Sequence, residues 1–399
     1  MSKLNVVIAG PWRAVLVLGV TQIIAWGAIY YPPVLTVPLI AAERGWSMTF
    51  AMGGFSLALL TAGLASPRVG RMIDRYGGHR VMPVGSLLAA LGLVLLVHAD
   101  HPAAYLAVWM LLGVATAASL YDPAFATLGR IFGTAARRPI TVLTLAGGFA
   151  STVSWPTTRL LLDAVGWRGT YLVYAAVLVL VAAPLNAFAL PRTRADASAQ
   201  NTGSTPAPVV VLKPEGWPFV LVAAAFAAYA FVPSGLAAHM LAIFGRAGID
   251  ATTVVAIGAL FGPAQVAARI GELVFARRVH PLVVARFAVG MLLVAFVLLA
   301  IFGLSVAVAA AFAVMFGMAN GLITIARGAV PLALFGAAGY GHLMGRIAGP
   351  FLVMQAIAPL VLAFVAERTS DPAVLAVVAA FALISFLGFA TIKRPGTGD

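Results

Sequence analysis

The sequence predicts an all-α membrane protein of about twelve transmembrane helices in two six-helix halves. Three observations predict it. The 399 residues are 62% hydrophobic and only 9% charged, with a mean hydropathy of +1.03. A dozen apolar runs have the length of a bilayer crossing, about 20 residues each. A single polar, proline-rich stretch lies near the middle of the chain. Soluble domains carry about 25% charged residues, so this chain lacks the charge to cover a water-facing surface. Helices satisfy their own backbone hydrogen bonds in hydrocarbon. A transmembrane barrel would instead show short alternating segments, which are not seen.

The runs lie near 13–37, 47–69, 81–99, 103–129, 139–162 and 170–190, then near 217–243, 251–275, 282–302, 305–333, 342–365 and 373–392. Between the ninth and tenth, Phe302-Gly303-Leu304-Ser305 is the only turn signal. Residues 191–216, with Arg192, Arg194, Asp196, Gln200, Asn201, Gly203 and Ser204, read as a flexible linker. The expected organisation is an N-terminal bundle over 1–190, this linker, and a C-terminal bundle over 217–399. Tyr31-Pro32-Pro33 and Val37-Pro38 are expected to bend the first span, and Trp155-Pro156 the fifth.

The net charge of +13 falls in short basic bursts between apolar runs, which points to topology rather than to nucleic acid. Arg68, Arg71, Arg75, Arg80, Arg130, Arg137, Arg138, Arg277, Arg278, Arg346, Lys393 and Arg394 share one side. Arg44, Arg168, Arg246 and Arg368 fall on the other. The bias places both termini in the cytoplasm of a bacterial-type inner membrane. The first apolar run continues past Pro32 without a cleavage signal and is expected to be retained. Cysteine is absent, which excludes disulfides, thiolate metal sites and cysteine nucleophiles. No metal cluster, nucleotide loop or catalytic triad is legible, so neither an enzyme nor a cofactor is expected.

The halves resemble each other. Pro67-Arg68-Val69-Gly70-Arg71-Met72 closes the second span, and Ala268-Arg269-Ile270-Gly271-Glu272-Leu273 closes the eighth. Tyr31-Pro32-Pro33 has a counterpart in Phe231-Val232-Pro233. Gly70 to Arg80 reads Gly-Arg-Met-Ile-Asp-Arg-Tyr-Gly-Gly-His-Arg. It resembles the loop signature of the major facilitator superfamily, Gly-x-x-x-Asp-Arg-x-Gly-x-(Lys/Arg)-(Lys/Arg), with His79 at a usually basic position. The competing reading is an ordinary basic loop.

The resemblance spans essentially the whole chain. It implies two halves related by a pseudo-twofold axis around a central cavity, and a monomer that moves a small molecule through the lipid bilayer by alternating access. It also implies a cytoplasmic latch, closed in the outward-open state, made by Gly70, Asp74, Arg75, Gly77 and Arg80. Asp74 is expected to face a helix N-terminus or a basic partner. The second copy has Phe275 in place of the acid. Phe132, Arg137-Arg138 and Gly147-Gly148, with Gly166-Trp167-Arg168-Gly169-Thr170-Tyr171, resemble the monocarboxylate and oxalate/formate carrier branch. That branch often has an acid early in span one, and here it is missing. Trp109 stands where proton-coupled drug antiporters carry an arginine.

An ionisable residue inside a span is a functional candidate, since burying its charge in hydrocarbon costs about 2.5 kcal/mol or more. Asp122, Arg159, His239 and Arg327 are singled out. Aligning Gly113 with Gly317 sets Asp122 and Arg327 at equivalent depth in spans four and ten. They are expected to form a gate or a static pair, or Arg327 to hold an anionic substrate. Arg159 either snorkels to the headgroups or lines the cavity. His239 either packs or carries a coupling proton. Tyr30, Tyr31, Trp155, Gln265, Asn320 and Gln355, with Gln22, are candidates for cavity lining or for helix-to-helix hydrogen bonds. The expected function is secondary transport of a small organic anion, monocarboxylate-like. The alternative is proton-coupled efflux of an apolar drug or toxic compound, and a non-transporting sensor is a third reading.

Overall fold

The computed structural model describes residues 10–192, 213–276 and 278–393. Most of the expected linker, including Arg194, Asp196, Gln200, Asn201, Gly203 and Ser204, lies outside the described residues, as do Arg277 and Arg394. Among the described residues there is no strand. The helices are α1 (Arg13–Ala25), α2 (Pro33–Arg44), α3 (Met48–Tyr76), α4 (Gly78–Val97), α5 (Pro102–Ser119), α6 (Tyr121–Phe132), α7 (Arg137–Gly148) and α8 (Ala150–Val177). There follow α9 (Trp217–Arg246), α10 (Ala251–Ala259), α11 (Phe261–Phe275), α12 (Pro281–Phe302), α13 (Val306–Phe335), α14 (Tyr340–Arg368) and α15 (Asp371–Thr391).

Ten helical stretches among the described residues are long and apolar enough to cross a membrane. One of them, Pro102–Ala189, has 88 residues. Laid straight it would reach about 130 Å, against a hydrocarbon core of about 30 Å. It reverses twice. Gly133, at φ 56°, opens a short 3-10 turn between α6 and α7. A Cβ on Gly147 would strike the Tyr121 ring, which a straight helix would hold about 39 Å away. Gly166, at φ 68° and ψ 178°, breaks α8. Thr158 and Tyr174 then share a hydroxyl–hydroxyl hydrogen bond of 2.6 Å across the break. Three crossings in that stretch bring the total to twelve. Large apolar side chains such as Leu64, Leu160, Leu180 and Phe188 point outward at 70–78% exposure. Lipid is the solvent that tolerates this outer surface.

The chain forms two compact units: Met1–Val209 with Gly336–Gly349, and Val210–Phe335 with Pro350–Asp399. In the first unit, the ends of several spans meet in one charge cluster. The Arg44 guanidinium is buried, donates to the Leu96 and Val97 carbonyls and pairs with Asp100 at 3.2 Å. Glu43 accepts from Trp167 Nε1 at 2.7 Å and pairs with Arg168 at 2.6 Å. The Gly166-Trp167-Arg168 turn therefore ties the sixth span to the end of the first. In the second unit, Arg246 grips both carboxylate oxygens of Asp371, at 2.9 and 2.6 Å, joining the end of α9 to the start of α15.

The proline breaks decide where side chains must substitute for backbone donors. In span one, α1 passes into a π turn, Trp26–Tyr30, before α2 restarts at Pro33. Pro32 and Pro33 carry no N–H. Tyr31 N donates to Trp26 O, and the Gly27 carbonyl instead accepts the Ser154 hydroxyl at 3.0 Å. In span four, Pro123 removes the donor that would serve the Ser119 carbonyl, and α5 stops there. Gln22 Nε2 of α1 supplies the missing bond at 2.7 Å. Span five departs from expectation. Pro156 lies inside α8, and the interruption falls earlier, where α7 ends at Gly147-Gly148.

Candidate functional site

Within the first unit, the broken stretches of spans one and four meet at a group of aromatic rings. Trp26 packs on Tyr30 at 4.8 Å and on Tyr121 at 5.0 Å between ring centroids. Tyr30 contacts Tyr31 and Phe55, and Tyr31 contacts Trp155 at 6.2 Å. Trp26 Nε1 donates to Gln22 Oε1 at 3.1 Å, so the glutamine that caps Ser119 also orients the indole. Trp155 is 51% exposed, while Tyr30 and Tyr31 are half-buried. The sequence candidates Tyr30, Tyr31 and Trp155 are thus brought together as one partly open aromatic face. Trp109 belongs elsewhere. It is fully buried against Phe55 and Tyr105, and it occupies the space that a side chain at Gly54 would need. It fills the packing between spans two and four.

The signature loop forms the second feature of that unit. Asp74 accepts the backbone N–H groups of Gly341 and His342 at 2.8 and 2.7 Å. These are first-turn donors of α14, unsatisfied within the helix and carrying the positive end of its dipole. Gly339, at φ 62°, lets the chain turn into that helix. The Asp74 backbone carbonyl accepts from Arg130 of α6. Arg75 and Arg80 are exposed, with Arg75 stacked on Tyr76 at 5.1 Å. Behind Asp74 the backbones of α3 and α14 touch. A Cβ on Gly70 would overlap the Gly341 carbonyl, and one on Gly345 would overlap the Ser66 carbonyl. Gly349 follows one turn later, near Gly63. This antiparallel glycine seam was missed in the sequence, though Gly341-x3-Gly345-x3-Gly349 was its signal. Asp122 lines a small cavity at the seam with Ser66, Gly70, Ala117, Gly341 and Gly345. In the second copy of the motif nothing lies within 4 Å of a Cβ on Gly271, and Phe275 is 85% exposed.

The second unit buries three charged residue types inside its helices: Arg269, Glu272 and Arg327, at 3, 5 and 8% exposure. Arg269 donates to Gln265 at 3.1 Å, and the Arg327 guanidinium lies 4.3 Å from the centre of the Phe351 ring. Sequence reasoning singled out Arg327 and Gln265 but took Arg269 and Glu272 for the remnant of a loop motif. Their position inside the apolar run 251–275 was the overlooked signal. Asn320 Oδ1 accepts from Tyr229 at 3.2 Å, and the Gln355 carbonyl accepts from Ser234 at 2.6 Å. In the first unit, the exposed Arg159 side chain pairs with Asp163 one turn on, at 3.1 Å. His239 is half-buried on α9.

Broken spans and charges buried inside apolar helices are features of membrane carriers. Residues 16–345 match the Major Facilitator Superfamily, and the chain belongs to it. It is 38% identical over 139 residues to human monocarboxylate transporter 11, which covers 34% of this chain and 29% of that protein. It is 31% identical over 180 residues to monocarboxylate transporter 3 of Rattus norvegicus, covering 43% of this chain and 35% of the relative. The matched segments thus span about a third of those curated relatives. The fold is similar to that of the human organic anion transporter MFSD10, with TM-score 0.72 and 18% identity over 95% of this chain and 99% of the other. It is also similar to that of the proton:xylose symporter XylE, with TM-score 0.69 and 10% identity over 96% of each.

Proposed function

We propose that this protein is a secondary transporter that moves a small, monocarboxylate-like organic anion across a bacterial-type inner membrane by alternating access, with both termini cytoplasmic. The observation that carries the reading is the burial of two arginines and one glutamate in the second unit. A charge in a span costs about 2.5–3.5 kcal/mol even on the lenient scales, and buried ion pairs are weak contributors to stability. Such groups persist where a ligand uses them. Two guanidiniums offer the bidentate donor geometry that carboxylates fit. The names of the two mammalian relatives and of the organic anion transporter with a similar fold agree with that class. In this reading Arg327 and Arg269 of the second unit attract the anion. The Asp74 contact with the start of α14 serves as the cytoplasmic latch.

A second reading, proton-coupled efflux of an apolar compound, is favoured by the aromatic face alone. A thermal-shift comparison of the detergent-purified chain separates them, because a ligand of the folded state raises the midpoint by mass action. Small carboxylates are expected to stabilise the wild type and to lose that effect in Arg327→Gln. Stabilisation by hydrophobic drugs but by no carboxylate would reject the anion reading in favour of efflux.

A further inference from the structure

One helix of the first unit has two exposed faces of different chemistry. On α8, Val153, Leu160 and Ala164 are exposed at i, i+7 and i+11, an apolar stripe that suits lipid. Thr152, Trp155, Arg159 and Asp163 are exposed at i, i+3, i+7 and i+11, about a third of a turn away. Span one holds α8 in register, since Ser154 donates to the Gly27 carbonyl at 3.0 Å and the Trp155 ring meets Tyr31 at 6.2 Å. Counted back from the break at Gly166, Arg159 lies about 10 Å and Trp155 about 16 Å along the helix, against a hydrocarbon core of about 30 Å. A charged stripe at that depth faces lipid only at high cost, so it belongs to a surface that water reaches. Arg159 and Asp163 are 71% and 59% exposed and meet through Arg159 Nε at 3.1 Å, one of a guanidinium's several donors. Exposed pairs of this kind are weak, so another carboxylate can take the place of Asp163. Trp155 stands one turn from Arg159 on the same face, with Cβ atoms about 6 Å apart.

We propose that Arg159 and Trp155 form a binding site for a carboxylate with an aromatic body: the carboxylate replaces Asp163 on the guanidinium, and the ring packs against Trp155 and Tyr31. This rests on the organic-anion reading and deepens it, giving the anion an aryl body and a cation in the first unit. A guanidinium fork fits a carboxylate, and aromatic pairs gain from offset or edge-on contact beyond the area they bury. The one-turn spacing selects a length. A ring held a short linker away from its carboxylate spans the roughly 6 Å between the two side chains, whereas a short aliphatic acid reaches Arg159 but not Trp155. Asp163 stands in for the ligand carboxylate until one arrives.

The test measures hydrocinnamate, its uncharged amide and propanoate by calorimetry on the detergent-purified full-length chain. Wild type is expected to bind hydrocinnamate at least about tenfold more tightly than either of the others. Arg159→Gln is expected to weaken hydrocinnamate about tenfold and to leave the amide unchanged. Trp155→Ala is expected to weaken hydrocinnamate and the amide alike and to leave propanoate unchanged. Asp163→Asn removes the competing carboxylate and is expected to tighten hydrocinnamate about threefold. A pair with only a structural role would not bind ligand better when broken. Hydrocinnamate bound no better than propanoate by wild type, or unchanged affinity in Arg159→Gln or Asp163→Asn, overturns the site. Propanoate binding that is lost in Arg327→Gln then leaves anion transport standing. Binding of neither anion by wild type overturns both readings.

Discussion

At the scale of single residues, the same residue type carries opposite weight at different helix positions. Gly345 lies where any Cβ would overlap the Ser66 carbonyl, while Gly271 faces open space. Gly345→Ala is therefore expected to force α3 and α14 apart, at the 1–3 kcal/mol or so typical of overpacking. Gly271→Ala is expected to be neutral or mildly stabilising, since alanine is the better helix former. Thermal denaturation in detergent measures both, and equal midpoints for the two variants would contradict the seam. The sequence made Asp74 legible because its spacing from Gly70 and Gly77 is a pattern. It hid Arg269 and Glu272 because the same pattern, applied to the second half, offered a ready explanation for charge at that point. Physical depth in an apolar run separates the two cases: Asp74 sits at a helix end beside α14, whereas Glu272 is buried within α11.

At the scale of elements, helix breaks are stable only where a neighbour repairs them. Span four stops at Ser119 because Pro123 cannot donate, and Gln22 repairs it from span one. Gln22→Leu keeps the volume and removes the donor. It leaves a buried carbonyl unsatisfied at about 1–3 kcal/mol and frees the Trp26 indole that Gln22 also accepts. The expected outcome is a lower midpoint together with weaker binding of whatever ligand the aromatic face contacts. Gln22→Glu should lose at least as much: it still accepts from Trp26, but it sets an acceptor against the Ser119 carbonyl and buries a charge. Equal stability of Gln22→Leu and wild type would show that span four does not depend on this bond. The prolines made the break in span one readable in advance, and Tyr31-Pro32-Pro33 indeed lies at its π turn. For span five the same rule misled. Trp155-Pro156 is tolerated inside α8, and the chain yields instead at Gly147, where Tyr121 packs so closely that no side chain fits. Proline marks where a donor is missing, whereas packing decides whether the helix breaks there.

At the scale of the whole molecule, composition alone carried the fold class, since a chain with 9% charge and 62% hydrophobic residues has few alternatives to a helical membrane protein. The residue pairs that reverse the chain, such as Thr158 with Tyr174, are unreadable in sequence because nothing local links them. Orientation rests on the basic bursts, and it predicts a labelling pattern. The chain contains no cysteine, so a single introduced thiol reports its own side without background. Arg192 follows the sixth span and Ala247 follows the seventh, and both are exposed. One crossing separates them, so the two positions should lie on opposite sides. In right-side-out vesicles a membrane-impermeant maleimide is expected to label Ala247→Cys and to spare Arg192→Cys until detergent is added. In inside-out vesicles the pattern should reverse. Labelling of both from the same side would remove a crossing and break the even count. The reversed pattern in each vesicle type would keep twelve spans but turn the protein over, and with it the side on which Asp74 meets the start of α14.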